Sequence, residues 1–233
     1  MNKIEKNQKI GEIVTLLPKA GIIFKKYQID FCCGGHRLLS NAIEEQNLNE
    51  KEILDQLNQA YFEFTQRPEE MTPSSATITE LIDLYIMPHH SFTKQILPEI
   101  SALAGTILKV HGIHHKELFT IHKLVKNLET ELEQHLIKEE EFLFPAIKEY
   151  EKNTSDEQSN RVREQIEEIE AEHDAAGDLL KELRQRTNQY QVPQDGCSTY
   201  EKTFEKIKEL ESDLFDHIHL ENNILFPKFE RQE

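Results

Sequence analysis

The chain has 233 residues, with 43 acidic against 27 basic side chains and a formal net charge of −16, which argues against nucleic acid and anionic membrane surfaces as partners. No apolar run approaches the roughly 18 residues of a spanning helix, and the opening MNKIEKNQKIGEIV lacks the apolar core of an export signal. Three cysteines make no disulfide framework, glycine is scarce at 8 and helix formers abound, so an all-α protein of a reducing, cytoplasmic compartment is expected.

Residues 1–66 read as a small domain of short helical segments, the last over residues 49–64 with Ile53, Leu54, Leu57 and Tyr61 on one face. Residues 67–76 carry Pro68 and Pro73 without periodicity and read as a linker. Residues 77–233 follow as four long amphipathic stretches, at 77–109, 114–150, 156–187 and 198–229. Short breaks between long helices predict an up-down-up-down four-helix bundle. Pro88 and Pro98 should bend or interrupt its first helix, since each lacks a backbone donor.

One short pattern occurs twice. His135-x-x-x-Glu139 precedes Leu143-Phe144-Pro145, and His217-x-x-x-Glu221 precedes Leu225-Phe226-Pro227, each Leu-Phe-Pro reading as a helix stop. The offset of 82 residues between His135 and His217 recurs between Glu139 and Glu221, and Leu128, Leu132 and Glu131 recur as Leu210, Leu214 and Asp213. A chain this acidic yields His-x-x-x-Glu pairs by chance, so the shared register is the evidence. Positions i and i+4 lie on one helix face, and the leucines place each pair beside the apolar stripe. An imidazole and a carboxylate facing a core are costly unless something pairs with them. Metal ligation meets that need better than ordinary polar positions on duplicated helices.

Counting from the turns supports convergence, because residues equally distant from a turn share a height. His135 lies 24 residues after His111 and His90 lies 21 before it; Glu139 and His173 each lie 17 from Asp156; His173 and His217 each lie 22 from Asp195. Each bundle helix thus brings a histidine to one level. The same ruler places His111, His114, His115 and His122 far from that level, as solvent-facing or loop residues. His89 and His219 fall on other helix faces.

Four imidazoles and two carboxylates exceed the needs of one tetrahedral zinc and suit two iron or manganese ions in a carboxylate bundle. With Glu139 and Glu221 bridging and one shared oxo or hydroxo group, an octahedral ion keeps a position open for nitric oxide, dioxygen or peroxide. Glu131 and Asp213 are candidates to steady the His135 and His217 rings, with Glu172 also near the level. Cys32-Cys33-Gly34-Gly35 is a second candidate site. Adjacent thiols do not reach relaxed disulfide geometry, but soft thiolates hold iron or react with nitric oxide and oxidants, and amides freed by the glycines would lower a thiol's pKa. The plainer alternative is a pair of small buried residues at a helix start. Cys197, in a loop and without evident partners, reads as incidental.

These motifs carry a family resemblance. His90 before Ile96-Leu97-Pro98, the two His-x-x-x-Glu…Leu-Phe-Pro segments, and His173 in Glu-His-Asp-Ala-Ala-Gly resemble the hemerythrin-like iron–sulfur cluster repair di-iron proteins, the repair of iron centres family. Ile10-Gly11-Glu12-Ile13-Val14 and Ile29-Asp30-Phe31-Cys32-Cys33-Gly34-Gly35 are similar to that family's N-terminal domain. Met87-Pro88-His89 departs from it, where an uninterrupted helix would be expected. The resemblance implies a hemerythrin-like bundle holding two iron ions on His90, His135, Glu139, His173, His217 and Glu221, a supporting role for the thiols Cys32 and Cys33, and a homodimer. It implies repair of clusters damaged by oxidative or nitrosative stress, by iron donation to client iron–sulfur proteins. The alternatives are nitric oxide reduction or peroxidase activity at the open position, and oxygen or nitric oxide sensing.

Overall fold

The computed structural model describes residues 3–66, 72–152 and 156–231. Residues 67–71 of the expected linker lie outside them; its remainder is a short 3₁₀ turn, Pro73–Ser75, entered through Thr72. The chain divides into two compact units, one of Met1–Ile86 with Phe215–Glu233 and one of Met87–Leu214. The fold is all-α, a four-helix bundle with an N-terminal helical region. Among the described residues no helix is long and apolar enough to cross a membrane.

The first unit holds α1 (Ile10–Leu16), α2 (Ala20–Lys26), α3 (Leu39–Glu45), α4 (Glu50–Thr65) and α5 (Ile78–Glu80). Asn49 starts α4 by accepting the Glu52 amide at 3.2 Å, and Thr77 and Glu80 cap α5 reciprocally. Its core gathers Ile10, Ile13, Leu17, Phe24, Ile29, Leu39, Ile53 and Leu57, with Phe226 and Phe229 from the chain's end. Phe31 lies at its centre, 6.4 Å from the Phe24 ring and 6.0 Å edge-on from Phe215.

The second unit contains α6 (Met87–His111), α7 (Glu117–Lys138), α8 (Phe144–Lys152), α9 (Asp156–Arg186) and α10 (Ser198–Leu220) as far as Leu214. Residues at helical spacing face inward: Leu118, Ile121, Leu128, Leu132 and Leu136 on α7, and Val162, Ile166, Ile169, Leu180 and Leu183 on α9. Each buried leucine or isoleucine of this kind stabilises the fold by roughly 1.5–3 kcal/mol.

Polar contacts join all four neighbouring helix pairs. Ser101 donates to Glu129 at 2.9 Å between α6 and α7, and Lys138 meets Glu168 and Glu172 between α7 and α9. Arg184 meets Glu211 at 2.9 Å between α9 and α10, and Lys202 meets Glu99 at 2.6 Å between α10 and α6. The Arg184–Glu211 pair is largely buried, at 15% and 8% side-chain exposure. Arg184→Leu should therefore strand a buried carboxylate and destabilise the bundle by about 3–5 kcal/mol in urea unfolding.

The Leu-Phe-Pro segments do not stop their helices. Residues Glu139–Leu143 and Glu221–Leu225 each form a π-helical turn, and the helix then resumes as α8 and as α11 (Phe226–Glu230). A third π turn, Leu81–Ile86, precedes Met87-Pro88. Proline clashes with the carbonyl four residues before it. Those carbonyls belong to Leu84, Glu141 and Asn223, each inside a π turn whose wider winding relieves the clash. Pro98, by contrast, lies within the continuous α6 and does not interrupt it.

Candidate metal centre

In the second unit, α6, α7 and α9 bring three imidazoles around one carboxylate. Glu139, the first residue of its π turn, is fully buried, as is His90; His135 is 4% and His173 1% exposed. Glu139 Oε2 lies 3.4 Å from His90 Nε2 and 3.2 Å from His135 Nε2, and its Oε1 lies 3.9 Å from His173 Nε2. The His135 and His173 rings meet edge-on, 4.8 Å apart. His135, Glu139 and His173 offer ligand atoms within 4.8 Å of one another.

Carboxylates behind the rings fix their orientation. His90 Nδ1 donates to Glu140 Oε1 at 2.8 Å, and His135 Nδ1 donates to Glu172 Oε2 at 3.0 Å. Lys94 holds Glu140 at 2.6 and 2.7 Å, while Lys138 holds Glu172. The His135 hydrogen bond, aided by Lys138 and opposed by burial, lowers the Glu172 pKa to about 2. Burial alone would raise the Glu140 pKa, but the bonds from Lys94 and His90 outweigh it and lower it. Both groups are therefore carboxylates that only accept hydrogen bonds, so the proton of each ring sits on Nδ1. Nε2, the nitrogen left for a metal, faces the Glu139 carboxylate. Buried ring nitrogens and carboxylate oxygens that converge in this way can hold a cation between them. Nitrogen and oxygen donors of this kind fit iron.

In the first unit, His217 of α10 and Glu221 of the following π turn repeat the pattern. His217 Nε2 lies 3.0 Å from Glu221 Oε1, with the residues 1% and 0% exposed.

The Hemerythrin HHE cation binding domain matches residues 81–229, and the Domain of Unknown function (DUF542) matches residues 6–61. Iron-sulfur cluster repair proteins YtfE of Escherichia coli O8 (strain IAI1), Escherichia coli O157:H7 and Shigella boydii serotype 18 (strain CDC 3083-94 / BS512) are each 34% identical over 223 residues, 96% of this chain and 96% of their own. This chain belongs to that hemerythrin-type repair family. His90, His135, Glu139, His173, His217 and Glu221 all fall inside the hemerythrin match, and the cysteine pair falls inside the N-terminal one.

Other expectations for this family member need correction. Glu131 is exposed, and Glu172 rather than Glu131 steadies His135. Asp213 accepts from His89 Nδ1 at 2.8 Å, which gives His89 a structural partner. His219 is 5% exposed, its ring 5.7 Å from Phe31, and burial lowers its pKa to about 4. Cys197 is not without partners, since its Sγ lies 3.2 Å from His111 Nε2.

Cys32 and Cys33 are free thiols with sulfurs 3.9 Å apart. The expected lowering of a thiol's pKa does not hold at Cys32. Its hydrogen bond with Cys33, then burial, then the charge of Asp30 push it well up. The Gly34 amide donates to Asp30 Oδ1 at 3.0 Å, so that carboxylate takes the donor the sulfur would have used. Asn223 anchors the same loop by donating to the Phe31 and Cys32 carbonyls at 3.3 and 3.1 Å. Gly11 and Gly35 leave room for it: a Cβ on either would lie 2.1 or 2.3 Å from Asn223 Oδ1.

Proposed function

We propose that the protein holds two iron ions on His90, His135, Glu139, His173, His217 and Glu221, with Glu139 and Glu221 bridging, and repairs iron–sulfur clusters damaged by oxidative or nitrosative stress. The orientation of Nε2 of His90 and His135 toward Glu139, with each Nδ1 occupied by a carboxylate, carries the ligand assignment. The named activity of the 34%-identical relatives supports the repair role. When bound, ferrous iron supplies a transferable metal and a site for small ligands such as nitric oxide, dioxygen or peroxide.

The chain's own part is to set the rings, exclude water and keep compensating charge nearby. Glu140 and Glu172 hold the ring tautomers, and the two lysines keep those carboxylates ionised. Glu172→Gln should weaken iron binding about 10–100-fold, because the His135 ring loses its anionic partner. Competition with a chromophoric chelator measures that change. We take residues 1–66 as a small thiol-bearing domain and residues 77–233 as the iron-binding one. A client iron–sulfur enzyme in the cytoplasm is the partner this reading requires.

The test incubates iron-loaded protein with an apo or oxidatively damaged cluster enzyme and a sulfur source. More cluster than an equal amount of free ferrous iron provides is the expected result; equal or lower yield rejects iron donation. Mössbauer spectroscopy with metal analysis of protein from iron-rich medium tests the ion count.

A further inference from the structure

The first unit contains a cavity of about 380 Å³, where α1 and α2 meet the end of α10 and the π turn that follows it. That volume falls within the range of small-molecule sites. None of the six proposed iron ligands lines it. Buried Val14, Leu220 and Ile224 form its apolar wall, and Pro18 and the 70%-exposed Ile22 stand on its outer side.

Two polar side chains on this wall are incompletely paired. His219 is 5% exposed, and its Nδ1 has no hydrogen-bond partner. The Phe31 backbone hydrogen-bonds to the ring, but one carbonyl serves one nitrogen, so the other is left over. Thr15 lines the same cavity, and its buried hydroxyl also has no partner. Buried polar groups are ordinarily hydrogen-bonded, and each one left unmet costs stability. An imidazole and a hydroxyl on one apolar cavity match a ligand group that both donates and accepts, as a hydroxyl does. The charge on the wall is uneven as well. Lys25 pairs with Asp216 at 2.6 Å, whereas Lys19 meets no carboxylate among the described residues. The surplus positive charge favours an anionic ligand.

We propose that this cavity is a binding site for a small aromatic carboxylate that carries a hydroxyl group. The aromatic body packs against Val14, Leu220 and Ile224, the hydroxyl pairs with His219 and Thr15, and the carboxylate lies toward Lys19. A flat ring suits such a wall because it buries a large apolar area with no internal rotamers to freeze. Since the residues that line the cavity are not the ones proposed for iron, occupancy does not require metal.

The chain has no tryptophan, so the emission of a naphthalene acid reports binding without overlap. 6-Hydroxy-2-naphthoate is titrated into the iron-loaded and the metal-free full chain, and saturable binding of equal affinity is expected in both. 2-Naphthoate, which lacks the hydroxyl, should bind about tenfold more weakly. Thr15→Val should weaken the hydroxy acid about threefold and leave 2-naphthoate unchanged. Lys19→Ala should weaken both acids about threefold and leave uncharged 2-naphthol unchanged. No saturable binding below about 1 mM would mean that water alone meets His219 and Thr15, and it overturns the proposal. Equal affinity for the two acids, an unchanged response in Thr15→Val, or binding that vanishes with the metal overturns it too. Unchanged affinity in Lys19→Ala overturns the carboxylate.

Discussion

Glu139→Gln is expected to raise the stability of the metal-free protein while it abolishes tight iron binding. Glu139 is fully buried, with Nε2 of His90 and His135 at 3.4 and 3.2 Å. Its carboxylate is held out of water, a desolvation cost that an isosteric amide avoids. The gain should be about 1–3 kcal/mol in urea unfolding of metal-free protein. Loss of the proposed bridging anion should leave fewer ions per chain after purification from iron-rich medium. Unchanged iron content would remove Glu139 from the ligand set, and lower metal-free stability would show that its charge is already compensated.

The second large effect concerns the cysteine loop. Asn223→Ala removes two donors from the Phe31 and Cys32 carbonyls and should destabilise the first unit by about 1–3 kcal/mol. Gly35→Ala should cost a similar amount, because its methyl group displaces the same amide. Since both act through Asn223, their effects should not add. In the Asn223→Ala background, Gly35→Ala should be nearly neutral, giving a coupling energy of about 1–2 kcal/mol in a double-mutant cycle. Full additivity would mean that the glycine serves another purpose.

The long helices were legible because their apolar residues recur at the helical period, as at Leu118, Leu128 and Leu132. Counting residues from the turns placed His90, His135, His173 and Glu139 at one height, and these four do meet. Local spacing also paired His217 with Glu221. The π turns escaped notice, since Leu-Phe-Pro resembles a helix stop when proline is read without its preceding carbonyl. Glu140 and the His111–Cys197 pair were missed because their partners are 50 and 86 residues away, distances that periodicity does not bridge. Asp30 was a nearer signal. Its position four residues before Gly34 suits capture of that amide, which denies it to the thiols.

The winding at Glu139–Leu143 also sets where the chain tolerates a change of length. A π turn closes its hydrogen bonds one residue further on than an α turn, so it stores one surplus residue. Excising the exposed Phe142 would tighten that loop of backbone to ordinary pitch while Phe144 and Ile147 keep their inward bearing. The same excision in the middle of α7 would instead swing everything beyond it by about 100° around the axis. One gap shortens the rod; the other changes its phase.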